Sequence, residues 1–173
     1  MDASKAFDRV EYVNLFRTLR GRNICPVVLR LLMNIYVNQK IQVKWNNMIS
    51  TKYRISNGVK QGGCLSPTLF SVYIDKLIEL LRKSNVGCRY GSQYMGVYCY
   101  ADDVSLLSPT ATGLHKMLDI CETFALEQNI IFNAKKSQLL CFGANSNDKP
   151  NNINMKMNRQ AIPFIKSCIP CLI

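Results

Sequence analysis

The 173-residue sequence predicts an α+β domain, a small antiparallel sheet with amphipathic helices packed on one face. Three observations lead there. Residues 98–107 hold two adjacent carboxylates, Asp102 and Asp103, between apolar flanks, the pattern of a tight hairpin with acids at its tip. Four other segments repeat apolar residues at helical spacing. A hydrophobic content of 48% in a chain of this length is enough for one buried core.

The elements follow in order. Residues 11–20 read as a helix with Tyr12, Leu15, Phe16 and Leu19 on one face, closed by Gly21. Pro26 opens a second helix that runs to Asn38, with Val28, Leu31, Leu32, Ile35 and Tyr36 directed inward. Ile41, Val43 and Trp45 alternate with polar residues, Asn46-Asn47 signals a turn, and Tyr53 and Ile55 alternate with Lys52 and Arg54. That is a two-stranded ribbon with a basic outer face. Residues 57–67, rich in glycine, form a loop whose backbone can approach a ligand closely. Ser66-Pro67 then starts the clearest helix, Ser66 as N-cap, with a stripe of Leu69, Phe70, Tyr73, Ile74, Leu77, Ile78 and Leu81.

Short strands near 86–90 and 94–100 lead into the acidic hairpin. Ser108-Pro109 starts a helix burying Leu114, Met117, Leu118, Cys121, Phe124 and Ala125, with His115 beside the stripe on the surface. Residues 130–132 and 138–142 read as strands, 144–154 as an Asn-rich loop, and 155–157 with 161–165 as a final hairpin.

Charge and cysteine content narrow the function. The formal net charge is +11 from 22 basic and 11 acidic residues, with the basic ones scattered along the chain. A folded domain this basic expects a polyanion, nucleic acid before an acidic membrane surface. No secretory signal and no apolar run long enough to span a bilayer is present. Most of the eight cysteines sit in apolar segments, as buried free thiols do, which points to a reduced intracellular compartment. Cys168 and Cys171 have C-x-x-C spacing, but a zinc site needs a second pair, and His115 is the single histidine.

The acids carry the chemistry. If the strand holding Asp2 lies beside the hairpin, Asp2, Asp102 and Asp103 converge. Hard carboxylate oxygens suit magnesium, which takes further ligands from substrate phosphates. Two such ions clamp the attacking and leaving oxygens of an in-line phosphoryl transfer. That chemistry needs no histidine, and the near-absence of histidine counts against a Ser-His-Asp hydrolase.

Four segments in succession, residues 2–8 (DASKAFD), 57–67 (NGVKQGGCLSP), 100–103 (YADD) and 133–137 (NAKKS), resemble the palm motifs of reverse transcriptases, most closely those of non-LTR (LINE-like) retrotransposons. The resemblance implies a ferredoxin-like polymerase palm with part of the fingers over 1–143, a loop over 144–154, and an incomplete primer-grip hairpin over 155–173. It further implies a palm truncated at both ends, one part of a larger polyprotein. The implied activity is RNA-directed DNA polymerisation on an RNA template and DNA primer with dNTPs, using two magnesium ions, with manganese as the substitute.

Residue by residue, the resemblance gives Asp2 and Asp102 as ligands of both ions, Asp103 as an assisting acid and the Ala3 carbonyl as a backbone ligand. Phe7 matches the steric gate against a 2′-hydroxyl. Gln61 and Gly62 line the nucleotide pocket, and Lys136 matches the lysine that protonates the leaving pyrophosphate. Away from its motif Phe7 reads as a core residue, and Lys136 as a solvated charge. Two other functions fit the same residues: a catalytically inactive nucleic-acid-binding remnant, and a viral RNA-dependent RNA polymerase. Ala101 before the acids and the bulky Phe7 argue against the last.

Overall fold

A computed structural model describes residues 1–142 and 155–164. It is α+β, with antiparallel strands throughout its named sheets. The element order begins β1 (Asp2–Ala3), a 3-10 turn (Phe7–Arg9), α1 (Tyr12–Gly21) and α2 (Pro26–Val37). Four short strands follow, β2 (Lys40–Ile41), β3 (Lys44–Trp45), β4 (Met48–Ile49) and β5 (Tyr53–Arg54), then α3 (Ser66–Lys83). Next come β6 (Arg89–Tyr90), β7 (Gln93–Tyr94), β8 (Val97–Tyr100), β9 (Asp103–Leu106), α4 (Ala111–Glu127) and β10 (Phe132–Asn133). The hairpin β11 (Lys156–Met157) and β12 (Gln160–Ala161) completes the described chain.

The central sheet has the order β10-β1-β9-β8. It joins a leading strand, a hairpin and a final strand, with helices crossing between them. Because side chains alternate across a strand, each face can be read from the register. Ala3 pairs with Phe132, and Val104 pairs with Cys99. Ala3, Val104 and Phe132 are buried and belong to one core with Phe70, Leu77, Met117 and Phe124 of the helices. The opposite face carries Asp2, Asp103, Tyr98 and Tyr100.

Helix α3 is the centre of the core. Leu69, Phe70, Tyr73, Ile74, Leu77 and Leu81 are buried, as the stripe predicts. Its Tyr73 hydroxyl donates to the Gln128 carbonyl at 2.6 Å and accepts from the Glu11 amide at 3.5 Å. One phenol thus ties the end of α4 and the start of α1 to α3. Burial pushes the Tyr73 phenol up, which keeps it a donor.

Several expectations need correction. Ser66 is the first helical residue and not the N-cap, and its hydroxyl donates to the Lys60 carbonyl at 2.6 Å, closing the glycine loop. Helix α4 starts after Thr110, whose side chain accepts from the Gly113 amide at 3.0 Å. Ser108 and Pro109 lie before it, because threonine offers a cap at the better register. In α2 only Leu32 and Tyr36 are buried, and Val28, Leu31 and Ile35 face solvent. A helix that packs on one neighbour can bury only a narrow stripe, and α2 packs on α1.

The ribbon forms as two short ladders, Lys40 opposite Arg54 and Trp45 opposite Met48, but both of its faces are open and Trp45 is 72% exposed. Residues 138–142 are not a strand; only Leu139 bridges to Phe164. Among the described cysteines all are free and Cys121 alone is buried, its thiol pushed up to about 12 by burial. Cys25 and Cys64 are exposed, because an apolar neighbourhood in sequence does not guarantee cover in space. The loop expected at 144–154 and the Cys168/Cys171 pair lie outside the described residues.

Replacing Tyr73→Phe leaves the Gln128 carbonyl buried without its donor, which costs about 1–3 kcal/mol. Urea unfolding of the variant should show a lowered midpoint at unchanged slope. An unchanged midpoint would remove this phenol from the account of what holds α1, α3 and α4 together.

Candidate active site

The first ten residues meet the 57–67 and 133–137 motifs, and the strand that leaves the 100–103 motif, through hydrogen bonds. The Val104 amide donates to the Met1 carbonyl at 3.0 Å, and the Met1 nitrogen donates to the Val104 carbonyl at 2.6 Å. That exchange sets Asp2 directly opposite Asp103. The Gly58 amide donates to the Val10 carbonyl and the Val59 amide to the Phe7 carbonyl, both at 2.8 Å. The Asp2 amide donates to the Ser137 hydroxyl at 3.4 Å.

Backbone groups of a strand point alternately to its two sides. Met1 bonds toward the hairpin and Ser4 donates the other way, to the Ile131 carbonyl at 2.8 Å. The carbonyl of Ala3, two residues after Met1, therefore points to the hairpin side, toward the turn that holds Asp102. Ala101 and Asp102 form that turn, and Ala101 takes a left-handed φ of 52°. An L-residue there carries about 1–2 kcal/mol of strain, which the eight-residue β8–β9 ladder holds in place.

The sequence expectation of three converging carboxylates is met in the backbone and stops there. Asp2 and Asp103 share one face and Asp102 adjoins them, but among the described residues no three Asp, Glu, His or Cys side chains are gathered as a metal-holding group. Like charges side by side spread apart unless a cation lies between them. The Lys136 ammonium lies 3.9 Å from the Asp2 carboxylate and is itself largely exposed, and the Met1 ammonium also feels the charges of Asp103 and Asp2. The site thus draws positive charge, and its hard oxygen donors fit a divalent ion.

The remaining candidates divide. Phe7 is half-buried and stacks on Phe70 of α3, centroids 5.0 Å apart at 26°. It lies within the hydrogen-bonded turns Lys5–Asp8 and Ala6–Arg9 that follow β1, beside the glycine loop, whose Val59 amide donates to its carbonyl. Gln61 and Gly62 lie in an exposed turn of that loop, Gly62 at φ 77°. Gly58 sits against the Asp8 backbone, where an added Cβ would come within 3.0 Å of the carbonyl oxygen at a φ of 88°. The loop docks there because only glycine fits.

Two residues were not singled out from sequence. Asn133 faces Asp2 across the ladder, and its side-chain oxygen accepts from the amides of Lys135 at 3.1 Å and Lys136 at 3.3 Å. Its carbonyl accepts from the Ser137 hydroxyl at 2.7 Å. Asn133 and Ser137 are therefore positioning residues for Lys136 and Asp2. The signal was available, since an asparagine two residues before a lysine pair at a strand end is the pattern of an Asx-turn.

A family model described as reverse transcriptase (RNA-dependent DNA polymerase) matches residues 1–164. The chain belongs to the reverse transcriptase family. Among relatives, it is 28% identical over 172 residues to the Pol polyprotein of retrotransposable element R2DM of Drosophila melanogaster, covering 99% of this chain and 16% of that protein. It is 30% identical over 152 residues to the R2 polyprotein of Nasonia vitripennis, covering 86% and 14%. It is 26% identical over 148 residues to the RNA-directed DNA polymerase from mobile element jockey of Drosophila funebris, covering 82% and 16%. These relatives are of the non-LTR kind, and the chain spans about one-sixth of their length.

Two substitutions probe the site in the metal-free protein. Asp103→Asn removes a like charge directly opposite Asp2 and also a charge that favours the nearby Met1 ammonium, so the two effects oppose and the stability measured by urea unfolding in chelator should move by no more than a few tenths of a kcal/mol. A large fall in stability would mean that Asp103 holds the fold through contacts other than its charge. Gly58→Ala should destabilise by more than about 1 kcal/mol, since the positive φ and the Asp8 backbone both oppose a side chain. A urea midpoint equal to that of the parent would show that the loop docks elsewhere.

Proposed function

We propose that this domain is the palm of an RNA-directed DNA polymerase, extending a DNA primer on an RNA template by phosphoryl transfer from dNTPs. The observation that carries the reading is the register that sets Asp2 opposite Asp103 at the acidic hairpin. The strand order β10-β1-β9-β8, with one crossover before the hairpin and one after it, supports a ferredoxin-like palm. The hairpin β11–β12 then corresponds to the beginning of a primer grip, held on α4 by the Asn158 amide donating to Glu122 at 2.5 Å.

In this reading Asp2, Asp102, Asp103 and the Ala3 carbonyl would hold divalent ions, magnesium in the first instance. Bound there, such ions supply charge neutralisation to the triphosphate and to the attacking hydroxyl. The residues of the chain do the rest. Lys136 holds a proton beside the departing pyrophosphate, where negative charge develops. Its contact with Asp2 at 3.9 Å supports that role, since it keeps the ammonium near the acidic face. Phe7, braced by Phe70, limits space at the sugar and so disfavours a 2′-hydroxyl. Gln61 and Gly62 line the nucleotide pocket from the glycine loop. Tyr98 and Tyr100, exposed on the carboxylate face, offer the primer end aromatic surface. Free cysteines among the described residues support a reduced intracellular setting, and no described helix is long and apolar enough to cross a membrane.

Primer extension on a poly(rA)–oligo(dT) hybrid with magnesium tests the reading. Incorporation should fall by at least about 10³-fold in Asp102→Asn, the scale on which removal of transition-state charge stabilisation acts. Phe7→Ala should retain dNTP use and gain ribonucleotide use. An Asp102→Asn protein as active as the parent, or no turnover from a folded parent that still binds the hybrid, would sink the polymerase assignment in favour of an inactive nucleic-acid-binding domain.

A further inference from the structure

The net charge of this chain is segregated because its acids are unevenly placed. Between Tyr12 and Ile74 there is no Asp or Glu at all, while Arg17, Arg20, Arg22, Arg30, Lys40, Lys44, Lys52, Arg54 and Lys60 contribute +9 of the net +11. Three of these cations come together. Arg17 and Arg20, one turn apart on α1, and Arg30 on α2 line a cleft of about 950 Å³ between the two helices. Its floor is apolar, formed by Phe16, Ile24 and Leu29, and no acid lines it. Arg22 is paired with Asp75, but none of the ion pairs among the described residues involves Arg17, Arg20 or Arg30.

We propose that the α1–α2 cleft is a binding site for single-stranded RNA, separate from the acidic face. Three guanidiniums without counter-ions repel one another, and a phosphodiester chain relieves that repulsion at all three positions. Guanidinium suits the task because it takes phosphate oxygens in a bidentate fork and also stacks on bases. The apolar floor gives bases a surface that leaves water, as single-strand grooves do. No residue of the cleft belongs to the acidic sheet face, so a strand held here does not occupy the catalytic groups. The choice of RNA rests on the polymerase reading above, which supplies an RNA template with unpaired stretches outside the primer hybrid.

The test is fluorescence anisotropy of the whole chain with a labelled, mixed-sequence single-stranded RNA over a salt series. The triple variant Arg17→Gln, Arg20→Gln, Arg30→Gln is compared with the charge-matched triple Arg82→Gln, Lys83→Gln, Lys116→Gln. The cleft variant should bind about tenfold more weakly or worse, and its log–log salt slope should fall by about 2, the loss of three single-strand phosphate contacts. The control should match the parent. Arg30→Glu alone, at one exposed position, should weaken binding in the same direction, which separates the effect from misfolding of the triple variant. Equal weakening in both triples, or an unchanged slope in the cleft variant, would overturn the site, the second result leaving the cleft to an acidic protein segment. The cleft variants are read by RNA binding and the polymerase reading by primer extension, so that failure of polymerisation and failure of the cleft are read in different experiments.

Discussion

The exchange of hydrogen bonds between Met1 and Val104 is the constraint on which the site depends. It fixes the register of a two-residue strand against the acidic hairpin, and a strand so short has little else to fix it. The register is also enforced by burial. A slip of one residue would turn Asp2 toward Phe132 and the helices and bring Ala3 out to water. Burying an unpaired carboxylate is far more costly than exposing an alanine methyl. Ala3, buried on one side, and Asp2, half-exposed on the other, therefore act as one specification for where the carboxylate must point.

The same ten residues organise the parts that are distant in sequence. The glycine loop docks on Phe7 and Val10, and the 133–137 turn docks on Asp2. Like charges gathered at one sheet edge work against the fold in the absence of a cation. The opposing stabilisation comes from the core behind the sheet, where Val104 and Phe132 meet α3 and α4. The chain also separates its charges by region, with Asp2, Asp102 and Asp103 at one sheet face and a long acid-free stretch through α1, α2 and the ribbon. A polyanion meets favourable potential over that acid-free stretch.

Much of this was legible in the sequence. The α1 and α3 stripes, the hairpin tip and the exposed His115 were readable because each depends on local periodicity or turn chemistry, and the structure has them where expected. The misreadings share one physical cause. The face of α2, the burial of Cys25 and Cys64, and the supposed strand at 138–142 all depend on what covers a segment in space. An apolar run records a capacity for burial and not its partner. The acid-tipped hairpin was the most conspicuous stretch in the sequence, yet the motif that binds the others together is the segment around Asp2. Its connections are made by main-chain groups, which leave no signature in residue type.

That last point separates scaffold from chemistry. The bonds that place Asp2, Asp103 and the glycine loop run from main-chain amides and the Met1 ammonium to carbonyls, or in one case to the Ser137 hydroxyl. They do not use the carboxylates. The acids are carried by the fold without holding it up, so their identity is not demanded by the main-chain bonds that place them. Lys136 follows the same logic, since its backbone is set by Asn133 while its ammonium, largely exposed, makes only a long contact with the Asp2 carboxylate. A carboxylate can therefore be exchanged for its amide without disturbing the register that presents it. The side chains of this site report on its chemistry, and its main chain reports on its fold.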